Sequence, residues 1–195
     1  MLYLLACFMG IAAGLAAKGS ISNLANFKLE KIYLIIAAFV IRTTAQVLSA
    51  RGMVWLIESS LLIYGITFLL LLAAFWYNRH SIGALIIGAG CLMNNVVMLL
   101  NGGKMPVSLE AMDRAGMTGM LEFMKNGADG KHSLLTESTK LPWLADIIHL
   151  PSFLGLLMEI VSIGDLVIAL GLAVLTFEAV RGKRINWRDS HAEIT

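Results

Sequence analysis

Long apolar stretches, broken at intervals by short polar segments, set the pattern of this chain. Five of them approach the length needed to cross a bilayer as a helix, about 20 residues. Met1 to Ala17 is the shortest and carries no charge; Ser81 to Gly102 is also uncharged. Ile32 to Ala50 carries only Arg42, Met53 to Asn78 only Glu58, and Pro151 to Phe177 only Glu159 and Asp165. The first run precedes its first charge, Lys18, whereas a secretory leader has its basic residues first, so the run reads as a membrane helix. The pattern predicts an all-α integral membrane bundle of about five transmembrane helices with short extracytoplasmic helices. In domain terms, residues 1–102 are four transmembrane helices and 103–150 an extracytoplasmic segment. Residues 151–178 are the fifth transmembrane helix and 179–195 a basic cytoplasmic tail.

The 103–150 segment has structure signals of its own. Ser108 caps a short helix ending near Gly116, and Thr118 caps a second. Met117, Met120, Leu121 and Met124 recur there at helical spacing, with Glu122 and Lys125 opposite. Such a helix lies on the membrane surface or over the bundle mouth. Pro142 starts a third helix, Trp143 to Leu150, and Pro151 stops it.

Composition agrees with the pattern. Of the 195 residues, 58% are hydrophobic and 14% charged, against about 25% charged in soluble domains. The net charge of +2 has no basic stripe behind it, which argues against nucleic acid. The two cysteines, Cys7 and Cys91, fall in apolar runs and read as small buried hydrophobes. Basic residues set the orientation. With the N-terminus outside, Lys18, Lys28, Lys31, Arg79, Arg181, Lys183, Arg184 and Arg188 fall inside, a modest excess that makes the C-terminus cytoplasmic. Trp55, Trp76, Trp143 and Trp187 sit at or just beyond the expected span ends, where amphipathic rings concentrate. Gly10 and Gly14 form a small-xxx-small pair, read as packing inside one bundle ahead of a homodimer face.

Charge inside a bilayer is costly and is normally paired or lines a cavity. At about 1.5 Å of rise per residue, Arg42, Glu58, Asn94, Asn95 and Glu159 fall at similar depths in the outer half, and Asp165 nearer the midplane. Arg42 is the natural counter-ion for Glu58 or Glu159. That pair reads equally as a structural ion pair or as part of a site for a headgroup, ion or proton. Asp165 has no evident cation, and either stays protonated or awaits an ion. At the outer boundary, Asn101-Gly102-Gly103-Lys104-Met105-Pro106 closes the fourth span. Asp146 and His149, three apart, share one face of the third short helix. A hydrated helix end explains that pair better than half a metal site, and no metal is expected. Ser162 precedes Gly164-Asp165. No catalytic signature is present, so catalytic residues and cofactors stay unassigned and the balance is against an enzyme.

The chain resembles an uncharacterised family of small bacterial membrane proteins, a domain of unknown function. The resemblance rests on Asn23-Leu24-Ala25, on Asn101 to Val107, on Leu141-Pro142 through Asp146 and Pro151, and on Ser162-Ile163-Gly164-Asp165. It implies a multi-pass protein of the bacterial cytoplasmic membrane and carries no activity. Function is therefore read first as a binding or accessory subunit, with an outer-leaflet polar cleft for a lipid, quinone or partner protein. The alternatives are a small ion- or proton-coupled transporter or channel, and a membrane enzyme acting on a lipid headgroup. Expected partners are the bilayer and other membrane subunits or further copies of the chain.

Overall fold

A computed structural model of the protein describes residues 1–125, 129, 131–150 and 159–183. The expected helices are there: α1 (Leu2–Ala16), α3 (Ile32–Ala50), α5 (Ser60–Tyr77), α6 (Ile82–Leu100) and α9 (Ile163–Arg181). Short α2 (Ser22–Asn26) lies between α1 and α3, and α4 (Val54–Glu58) precedes α5. Four helices (α3, α5, α6 and α9) are long and apolar enough to cross a membrane. The apolar α1 is shorter and packs along α9. These helices show large side chains outward, with Phe8 67%, Phe39 70%, Leu62 66% and Leu170 58% exposed. Apolar area of that extent marks a surface facing something other than water, and it points to a membrane location.

Helix α9 lies between α1 and α6, while α3 packs on α5. Small residues set the first of these contacts. A Cβ on Gly14 would meet the Val180 side chain at 2.7 Å, and one on Gly83 the backbone N of Leu175 at 2.5 Å. Without a hydrophobic effect between helices in lipid, such close approach is what holds them. Gly10 and Gly14 thus serve packing inside the bundle. The far end of α9 is tied in by hydrogen bonds. Glu178, fully buried, accepts from Ser81 Oγ and from Ile82 N (3.1 Å) and so caps α6, a placement the helix dipole favours.

The described residues of 103–150 fold back over the end of the bundle that holds Met1 and the start of α9, forming a cap. It contains β1 (Met105–Val107), α7 (Leu109–Arg114), α8 (Thr118–Lys125), β2 (His132–Leu134) and β3 (Ile148–Leu150). β1 pairs in parallel with β2, and β3 pairs antiparallel with β4 (Glu159–Val161). Ser108 caps α7 by accepting from Ala111 N at 3.3 Å, as its position predicts. A buried apolar cluster of Tyr64, Val97, Met98, Met105 and Leu144 joins cap to bundle.

Four expectations change. The helix expected over Trp143–Leu150 is a single 3-10 turn, Pro142–Leu144, followed by extended chain. Strand β1 captures that chain: Asp146 N donates to Pro106 O at 2.9 Å and Ser108 N to Asp146 O at 3.0 Å, replacing intrahelical bonds. The last long helix begins at Ile163, not at Pro151; residues 151–158 lie outside the described residues. Glu159 therefore sits in β4, ahead of the helix, and Asp165 in the first helical turn, away from the midplane. The third apolar run breaks at Ser59 into α4 and α5. Trp76 falls at the end of α5, Trp55 in α4 ahead of it and Trp143 in the 3-10 turn, all three exposed; Trp187 lies outside the described residues.

Candidate functional site

The start of α9 organises the junction of cap and bundle. Ser162 is its N-cap and Asp165 its third residue, and together they form a capping box. Ser162 Oγ accepts from Asp165 N at 3.0 Å, and Asp165 Oδ2 accepts from Ser162 N at 3.0 Å. Two further elements converge on the same carboxylate. Asn94 Nδ2 of α6 donates to Asp165 Oδ1 at 2.9 Å, and Tyr3 Oη of α1 donates to that oxygen at 2.7 Å. Ser162 Oγ also lies 2.8 Å from Asn94 Oδ1. Gly164 makes room for this, because a Cβ there would collide with Asn94 Oδ1.

Above the knot is a cavity of about 320 Å³, lined by Tyr3, Lys131, His132, Asp146, Val161 and Asp165 among others. The strands place its polar walls. Pairing of β2 with β1 brings His132 beside Met105, and the bridge from Val107 holds Asp146. Asp146 is 9% exposed, and its Oδ1 is buried without a hydrogen-bond partner. Burial, then the Asp165 charge, push its carboxyl up to about 7, against the pull of Lys131. Burial and the Arg42 charge lower the Lys131 ammonium, with Asp146, Asp165 and Asp129 opposing. Burial raises Asp129, but its bond to His132 and the N–H groups of Lys131 and His132 outweigh that and hold it low. Asp129 Oδ2 lies 2.9 Å from His132 Nδ1.

Asp146 therefore links pH to stability. Its carboxyl titrates near 3.8 in the unfolded chain and near 7 in the folded one. Between those values the folded protein holds more protons, so stability falls as pH rises, and the full penalty applies above about 7. At about 1.4 kcal/mol per unit the span is on the order of 4 kcal/mol. The melting temperature in detergent is expected to drop from pH 5 to pH 8, and Asp146→Asn to flatten most of that drop. A wild-type profile no steeper than the variant's would contradict this environment for Asp146.

Of the residues singled out from the sequence, Asn94, Ser162, Asp165 and Asp146 meet here. Arg42 does not pair with Glu58: its Nη2 donates to Tyr64 Oη at 2.9 Å, with the guanidinium 4.5 Å from that ring. Arg42 lines a separate cavity of about 30 Å³, which Lys131 also reaches. Glu58 is exposed, and the Glu159 side chain lies outside the described residues. Asn95 is buried and donates to Cys91 O of its own helix at 2.7 Å. Asn101, Gly102 and Gly103 form the joint between α6 and the cap. Asn101 exchanges bonds with the Lys140 backbone at 2.9 and 3.0 Å. Gly103, at φ 83°, lies so close to Leu61 that a Cβ would meet its N at 2.7 Å. Lys104 Nζ donates to Asp129 O at 3.0 Å, and Pro106 is fully buried. His149 is in β3, its Nε2 buried without a partner. It shares no helical face with Asp146, since residues three apart in extended chain fall on opposite sides. Among the described residues no group of three or more ligating side chains could hold a metal, and both cysteines are free thiols.

The sequence reading passed over Tyr3, Lys131 and Glu178. Tyr3 carried a weak signal, a hydroxyl near the start of an uncharged apolar run. Lys131 carried none, since only strand pairing brings it under the cap.

An uncharacterized protein of Thermotoga maritima is 25% identical over 157 residues, covering 80% of this chain and 79% of that protein. No solved structure matches. The profile of a family of unknown function, DUF5317, matches residues 26–177. That range takes in Asn94, Lys131, Asp146, Ser162 and Asp165, and leaves out Tyr3 and Asn23-Leu24-Ala25. A match over most of the chain makes this protein a member of the DUF5317 family.

Proposed function

We propose that the protein is a membrane-embedded binding protein whose cavity between cap and bundle takes the amine-bearing group of a small solute or lipid headgroup. The observation that carries this reading is Asp146, a buried carboxylate with one unpartnered oxygen, lining a cavity shared with Asp165 and Lys131. A buried polar atom without a partner costs free energy. An ammonium group would supply donors to Asp146 and neutralise the repulsion from Asp165. Lys131 and His132 on the same wall suit an accompanying anionic group. With the N-terminus outside, the cavity opens at the outer face of the membrane.

Native mass spectrometry of protein extracted gently from its own membrane tests this. A discrete added mass is expected on the wild type and on Glu58→Gln, which alters an exposed carboxylate away from the cavity. Asp146→Ala should lose at least tenfold of that occupancy. A wild type free of any small molecule, or a mass retained fully by Asp146→Ala, would overturn the assignment.

A further inference from the structure

A cavity larger than the one under the cap lies elsewhere in the described residues. It is a groove of about 830 Å³ between α5 and α6, towards the opposite end of the bundle. That volume is within the range of about 300–1,000 Å³ typical of ligand clefts. The two helices touch where Phe75 lies on Gly88, with a Cβ on Gly88 meeting that ring at 3.2–3.4 Å. Phe68, Leu71, Leu85, Ala89 and Leu92 line the groove.

Its rim is charged. Arg79 donates from Nη1 to Trp76 O at 2.8 Å, and its guanidinium lies 4.9 Å from the Trp76 ring. A guanidinium has five donors, and among the described residues that of Arg79 has no carboxylate partner. His80 is beside it, its Nε2 buried without a hydrogen bond and 3.7 Å from Glu30 Oε1. Lys31 Nζ lies 5.6 Å from the Tyr77 ring, adding a second fixed cation at this end. Trp76, 66% exposed, marks the level of the membrane interface. An apolar slot inside the bilayer, ending at a cationic rim at headgroup level, matches one occupant by charge and polarity.

We infer that the groove between α5 and α6 is a binding site for an anionic phospholipid, with one acyl chain against Phe68, Phe75 and Leu92 and the phosphate on Arg79. Among the described residues Glu30 is the one carboxylate lining the groove; it faces His80 and opposes the anion there, which makes Arg79 the principal contact. The site is independent of the cavity under the cap.

The test is delipidation followed by titration with phosphatidylglycerol or phosphatidylcholine, read by native mass spectrometry. Phosphatidylglycerol is expected to bind at least tenfold more tightly. Arg79→Gln, at an exposed position, should lose most of that preference while leaving phosphatidylcholine unchanged. Ala89→Trp, which fills the groove, should reduce binding of both. Equal affinity for the two lipids, or a preference surviving Arg79→Gln, would overturn the inference. So would dimers in which Leu72→Cys of one copy forms a disulfide with Leu92→Cys of another on oxidation, showing a second chain in the groove.

Discussion

Gly90→Leu is expected to unfold the protein in conditions where Gly65→Leu leaves it intact. A Cβ at Gly90 would lie 2.6 Å from Gly164 O and 2.8 Å from Ile168 N, both backbone atoms of α9. One turn pair further along, a Cβ at Gly171 would lie 2.6 Å from Ile87 N, and one at Gly83 would lie 2.5 Å from Leu175 N. Gly83 and Gly90, like Gly164 and Gly171, are about two helical turns apart, so each helix presents a strip of small residues to the other. Backbone cannot rotate aside as a side chain can, so α6 and α9 must separate. Overpacking costs about 1–3 kcal/mol and occasionally more; contact against backbone on both sides belongs at or above the top of that range. A Cβ at Gly65 meets nothing within 4 Å. Thermal unfolding in detergent should show a large loss for Gly90→Leu and a change of a few degrees at most for Gly65→Leu. Equal melting of the two variants would mean that α6 and α9 do not meet through these glycines.

Asp165→Ala is expected to destabilise the protein substantially, through the knot at the start of α9. The substitution removes the acceptor for Tyr3 Oη, Asn94 Nδ2 and Ser162 N at once. Loss of a helix cap costs about 1 kcal/mol, and each buried donor left without a partner about 1–3 kcal/mol. Ser162 N is counted in the cap and Tyr3 is exposed, so the cap and the Asn94 donor together come to about 2–4 kcal/mol. Asp165→Asn keeps an acceptor oxygen and should lose much less. A double-mutant cycle with Tyr3→Phe should show coupling of about 1 kcal/mol, measured by unfolding in detergent. Asp165→Ala melting with the wild type would show that Asp165 does not hold the three helices together. That structural role differs from the ion-coupling role which a midplane position suggests, and it follows from α9 beginning at Ile163.

The spans were legible because a helix in lipid must be apolar along its length, and nothing else in the chain sustains such runs. The cap was legible only in part. Ser108 and the methionine spacing announced α7 and α8, but the strands are three residues long, too short for alternation to register. Depth counting failed at the last span for a related reason. Pro151 and the apolar residues after it fit a continuous helix locally, whereas Glu159 is held by its pairing with Leu150 in β3.

Membrane character, the approximate helices and the small-residue contacts were legible in the sequence itself, because each depends on local pattern or on residue type at one position. Which polar groups meet was decided by the tertiary structure alone. Among the described residues Arg42 turns to Tyr64 instead of a carboxylate, Tyr3 reaches Asp165 from 162 residues away in the chain, and Lys131 joins Asp146 only after β2 pairs with β1. Hydrogen-bond partners are selected by distances of about 3 Å, and strand register and helix rotation set those distances, neither of which a hydropathy pattern contains.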